Sequence, residues 1–200
     1  MSPTQQMIQD AFDNKILVDN VVDVQSTPVY DTVAIGPGPA TLSQLNQFFT
    51  NVGSASGKTY AQTNMSTSQI LPAPQVFSIY AIRLQWNANV WRPDIETVLG
   101  QFALEFWLLD KCYSRAPLWY YNAGGGLWGF SHRSNATLYG NGVPDRNAMH
   151  KLAIPLVIYN QMRFFAQFVG NPFTPETAVN GGVGFNFTLL LDGLYGRQVQ

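Results

Sequence analysis

The stretch Gln75-Val76-Phe77-Ser78-Ile79-Tyr80-Ala81-Ile82-Arg83-Leu84-Gln85-Trp86-Asn87-Ala88 decides the fold class. From Ile82 to Trp86 apolar and polar residues alternate, the period of a strand with one buried face. Pro93 then opens a short helix to Leu99, with Asp94 and Glu96 well placed in its first turn and Gly100 at its end. Phe102 to Leu109 reads as a second strand. It turns at Asp110-Lys111 into a return strand, Cys112 to Tyr121, where Pro117 demands an edge, a bulge or a break.

Outward from this centre the chain stays β-rich. Upstream, Ile16–Val24 and Thr27–Ile35 read as strands, the second ended by Gly36-Pro37-Gly38-Pro39. Thr41 can cap a helix whose apolar face is Leu42, Leu45, Phe48 and Phe49. Residues 51–74 form a long polar loop with a single charge, Lys58, and room for a short strand at Lys58–Ala61. Loops of this length are commonly functional, and this one is expected to make surface contacts.

Downstream, Ala123–Asn147 is an aromatic, Gly/Asn-rich region with short extended pieces. Lys151–Tyr159 and Arg163–Val169, joined by Asn160-Gln161, read as a hairpin. After a loop over 170–182, the last strand is Val183–Leu191, with Phe185, Phe187, Leu189 and Leu191 on one face. Residues 1–14 read as an N-terminal arm or short helix bearing Met7, Ile8, Ala11 and Phe12 on one side. The predicted architecture is all-β. It is an antiparallel, eight-stranded jelly-roll sandwich with short helices in the connecting loops, one domain over residues 15–200.

Composition limits the function. Of 200 residues only 12% are charged, about half the usual share of ~25%, while 46% are hydrophobic and 14% aromatic. Such a chain folds. Its net charge of −1 supplies no general field for a phosphate backbone, so direct nucleic-acid binding is not expected. A near-neutral surface with large apolar groups suits a protein that finishes its surface by binding neighbours. There is one cysteine, Cys112, hence no intrachain disulfide. The first residues lack a basic and apolar leader, and no apolar run reaches the ~20 residues of a membrane helix. Synthesis in a cytoplasm is expected, and the glycosylation patterns at Asn64, Asn135 and Asn186 read as chance matches.

No catalytic set emerges. His132 and His150 are too few and too separated for a metal site. Cys112 reads as an inert buried thiol, and Gly124-Gly125-Gly126 lacks the lysine of a phosphate loop. Paired carboxylates, Glu105 with Asp110 or Asp94 with Glu96, are the weak basis for a glycoside-active enzyme. The aromatics Trp119, Tyr120, Tyr121, Trp128, Phe130 and Tyr139, with Arg115 and Arg133, suit carbohydrate stacking or a protein contact surface.

The run Phe77–Trp86, the strand Phe102–Leu109 turning at Asp110-Lys111 to Pro117-Leu118, the segment Lys151–Val169 and the end Asp192-Gly193-Leu194-Tyr195-Gly196-Arg197 resemble virion structural proteins of the viral jelly-roll class, above all those of bacteriophages. The resemblance covers most of the chain in architecture and rests on no diagnostic motif. It implies a capsid or minor capsid subunit, made in the host cytoplasm and placed in the virion. Such a subunit works by contacts with its own copies and other virion proteins, without cofactor, metal or catalysis. The N-terminal residues 1–14 carry no Lys or Arg, unlike a genome-facing basic arm. The expected contact elements are that arm, loops 51–74 and 170–182 and the tail 195–200. The candidate interface residues are Met7, Phe12, Trp119, Tyr121, Trp128, Phe173, Tyr195 and Arg197. The alternatives are a carbohydrate-binding sandwich with Trp119, Tyr121 and Trp128 as platforms, or an enzyme using Glu105.

Overall fold

The computed structural model describes residues 22–35, 42–43, 46–53, 56–86, 90–121, 130–133, 136–139, 151–175 and 185–198. Its strands are β1 (Val22–Ser26), β2 (Val29–Ile35), β3 (Gln47–Phe48), β4 (Val76–Trp86), β5 (Val90–Trp91), β6 (Phe102–Leu108), β7 (Lys111–Pro117), β8 (Phe130–Arg133), β9 (Ala136–Tyr139), β10 (Lys151–Ile158), β11 (Phe164–Gly170) and β12 (Phe185–Gln198). A helix, α1 (Arg92–Gln101), joins β4 to β6, and a 3-10 turn, Leu118–Tyr120, follows β7. The protein is a mainly β sandwich of two antiparallel sheets.

In the first sheet the long strand β12 is central. One edge pairs with β2 (Leu191 opposite Val29) and then with β1 (Leu194 opposite Ser26), while the other pairs with β4, and β10 closes the far side. The second sheet runs β3-β11-β6-β7, and a small ribbon runs β5-β9-β8. Alternation drives the packing. Phe187, Leu189 and Leu191 of β12 and Leu84 and Trp86 of β4 turn inward from one sheet, and Leu104, Phe106, Phe164 and Phe168 from the other. The rings of Phe168 and Phe187 meet across the sandwich at 5.1 Å and an interplanar angle of 60°, an edge-type aromatic contact. Ile95 and Val98 of α1, three residues apart, add to the same core.

Four sequence expectations change. Lys151–Val169 is not a hairpin, because β10 pairs with β4 in one sheet and β11 with β6 in the other, so the Asn160-Gln161 link crosses between sheets. The residues after Thr41 do not build the predicted helix. Leu42 bridges Phe173, and Gln47-Phe48 pair with Gln167 and Ala166 as an edge strand. Residues 195–198, expected as part of a contact tail, continue β12 opposite β1. Lys58–Ala61 is a turn, not a strand. The arm 1–14 lies outside the described residues.

Candidate functional site

The segment after β3 is the least expected part of the molecule. Sequence reading makes it a free loop, yet it seals the open edge of β2. Asn64 is the clamp. Its side-chain oxygen accepts the Tyr30 N–H at 2.9 Å, and its amide donates to the Pro28 carbonyl at 2.8 Å. The Asn64 N–H and the Thr63 hydroxyl both donate to the Tyr30 carbonyl. Backbone groups that would otherwise offer a pairing edge are thus satisfied within the chain.

Asp31, the next residue, faces the opposite way, into the sandwich, and its side chain is wholly buried. It accepts Lys58 Nζ at 2.8 Å and the Phe49 N–H at 2.8 Å, with Thr63 as a further donor. Phe49 has φ of 65°, a left-handed backbone unusual for an aromatic residue, and this hydrogen bond helps hold it there. Burial pushes the Asp31 carboxyl above its ordinary range, and the Lys58 ammonium and the N–H donor only partly offset that. The one charge of the long loop is therefore spent inside the molecule.

Between this segment and the outer face of the first sheet lies a groove of about 450 Å³. Tyr30 and Thr32 of β2, Gln85 of β4, Asn186 and Thr188 of β12 and Gln62 of the segment line it, and none of its ten lining residues is charged. The Tyr30 hydroxyl donates to the Tyr60 carbonyl, and the Thr32 and Thr188 hydroxyls pair at 2.8 Å.

The outer face of the second sheet carries a polar chain across all four strands. Gln47 donates to Gln167 at 3.1 Å, Gln167 to Glu105 at 2.9 Å, and Arg115 contacts the other Glu105 oxygen at 2.6 Å. The Trp107 indole N–H also donates to Glu105 at 2.8 Å, while its ring stacks on Phe165 at 6.1 Å and 3°. Burial raises the Glu105 carboxyl, but the donors from Gln167 and Trp107 and the Arg115 guanidinium outweigh it, so the group sits below its usual range. A glycosidase acid needs the opposite shift. Glu105 is built as a charged acceptor that ties the strands in register.

Glu105→Gln is expected to cost about 1–2 kcal/mol at neutral pH, mostly from the weakened Trp107 and Gln167 bonds. The ion pair itself adds little, because Arg115 is 64% exposed. Since the folded carboxyl titrates below 4.5, its contribution is present above that value and fades as pH falls through the folded pKa. Urea melts of both proteins across the acidic range check this: the gap between them closes on acidification.

The predicted contact residues scatter. Trp119 is 55% exposed after β7. Tyr121 is not a surface platform. It is 2% exposed, its hydroxyl meets Ser114 at 2.8 Å and donates to the Leu104 carbonyl, and burial pushes its pKa up to about 12. Trp119 lies within the 3-10 turn and Tyr121 directly after it, where the chain direction has changed and the side chain enters the core. Phe173 is half-buried and exchanges backbone hydrogen bonds with Leu42. Tyr195 packs on Phe77 at 5.8 Å and bonds Gln75. The backbone of Arg197 pairs with Asp23, and its side chain lies outside the described residues, as do Met7, Phe12 and Trp128. Sequence reasoning missed Tyr60 and Ile154, exposed by 87% and 77%. The Ile154 signal was Pro155 in β10, which coincides with a break in the pairing with β4 between Lys151 and Leu156.

Among the described residues, no group of three or more His, Cys, Asp or Glu gathers to hold a metal, and no helix is long and apolar enough to cross a membrane. No protein-family model, curated protein or solved structure matches the chain.

Proposed function

We propose that the protein is a jelly-roll subunit of a viral shell, acting through contacts with its own copies. The observation that carries this is strand order. Because β12 pairs along one edge with β2 and then β1, those two read as one strand interrupted at Thr27-Pro28. Setting aside the small ribbon, the sheets then run first-eighth-third-sixth and second-seventh-fourth-fifth. This is the order produced when one long antiparallel hairpin, first strand against eighth through fourth against fifth, is rolled into two sheets, the double Greek key of the jelly roll.

The step from that fold to a shell subunit is an analogy of architecture. Two further features support it. The surface carries little charge, and large apolar side chains stand exposed at separate points, among them Ile154, Trp119 and Leu109. A closed assembly reuses such patches in every copy.

Light scattering on the purified protein over a concentration series tests the proposal. A discrete oligomer or a shell-sized particle is expected. Ile154→Lys or Trp119→Ser should shift that distribution toward smaller species. A monomer of 22.2 kDa at every concentration would overturn it.

A further inference from the structure

We infer that the groove between the 59–65 segment and the outer face of the first sheet binds a neutral saccharide. Its chemistry selects the ligand by elimination. Among the described residues, phosphates, sulfates and acidic glycans would find no cation in the lining, and Lys58 and Arg83 are engaged, Lys58 with Asp31 and Arg83 bidentate with Asp192. A cationic ligand would find no carboxylate there. A wholly apolar ligand would take water from the Gln85 amide and the Gln62 NH2 without replacing its hydrogen bonds, which costs free energy for each. Sugar hydroxyls both donate and accept, and so match a surface of carboxamides and hydroxyls.

Two of the amides are ready to act. Gln85 is exposed and its side chain has no partner among the described residues. Gln62, which also lines the groove, accepts from Thr59 through its oxygen, which leaves its NH2 as a donor. The same lining holds Pro28, Ala61, Trp86 and Leu190. Pro28 and Leu190 supply apolar surface for the apolar face of a sugar ring, while the amides read its hydroxyls.

The wall is also set before binding. The Tyr30 hydroxyl holds the Tyr60 carbonyl, Asn64 holds β2 at two points, and Lys58 is locked on Asp31. Little ordering entropy remains to oppose a ligand. The inference is independent of the assembly reading, although repeated copies would add the avidity that single weak sugar sites need.

The test is a glycan microarray probed with the full chain, followed by calorimetric titration of the strongest neutral oligosaccharide. Binding to a neutral class, retained at high salt, is expected. Gln85→Ala should weaken it about tenfold or more, the scale of one lost hydrogen bond. The Gln85 side chain is solvent-exposed, so the fold and the light-scattering mass should be unchanged, and Tyr113→Ala, an exposed aromatic on the second sheet, should bind as the wild type does. Absence of binding to every neutral glycan, binding confined to sialylated or sulfated glycans, or binding lost with Tyr113→Ala but kept with Gln85→Ala would each overturn the assignment.

Discussion

Lys58→Met should destabilise the protein by about 3–5 kcal/mol at neutral pH, the range for breaking a buried ion pair by removing one partner. Asp31 is fully buried, and without the ammonium it keeps only the Phe49 N–H and Thr63 as donors. The pH dependence identifies the cause. The folded carboxyl already titrates above its ordinary value of 3.8, and losing Lys58 removes two of the influences that lower it, so it moves further up. A group with a raised folded pKa favours the fold fully below its unfolded pKa and loses that contribution as pH rises through the folded value. The variant should therefore be weakest under mildly alkaline conditions and recover as the solution is acidified toward about pH 4. Denaturant titrations across that window check the result. A uniform loss at every pH would mean that the packing of the lysine stem, and not the charge, holds the segment.

That ion pair also marks the limit of what the sequence makes legible. A lone charge in a long polar stretch is a visible oddity, but its partner lies 27 residues away and only the folded chain brings them together. The strands themselves are local and legible. Phe77 and Ile79 lie in one phase and Ile82, Leu84 and Trp86 in the other, and this slip marks the bulge at Tyr80 where β4 and β12 lose register. The inward row Phe185, Phe187, Leu189 and Leu191 follows directly from alternation.

Adjacency is different, because it is non-local. Ile158 and Phe164 are both fully buried on either side of a five-residue link, and nothing in their pattern reports that they enter opposite sheets. The helical spacing of Leu42, Leu45, Phe48 and Phe49 is likewise overridden by the pairing of Gln47 and Phe48 with β11, a tertiary gain that exceeds helix propensity. Among the aromatics, composition marked the crowded stretch but could not sort Trp119 from Tyr121, since the 3-10 turn that holds Trp119 breaks the strand period before Tyr121. The groove was equally hidden, because its lining comes from four separate parts of the chain.

Gly193→Ala should be nearly as damaging as the loss of Lys58, about 3 kcal/mol, the upper end for forcing atoms into a packed core. A methyl group at Gly193 would lie 2.2 Å from the Ser78 carbonyl oxygen and 2.6 Å from the Phe77 ring. The first contact is backbone, held in the ladder between β4 and β12, so no rotamer change relieves it. The second is a buried ring that itself packs on Tyr195. Relief requires β12 to move away from β4 at the bulge, next to the point where Asp192 grips Arg83. Because β12 is the one strand that joins β4 to both β1 and β2, a displacement there spreads across the whole first sheet, including the groove floor at Thr188 and Gln85. The variant should thus lose thermal stability and any glycan binding together, whereas Gln85→Ala should lose binding alone. Denaturant melts and amide exchange of β12 distinguish the two. Wild-type stability in Gly193→Ala would mean that the bulge can relax without cost and that the central strand is less constrained than its contacts require.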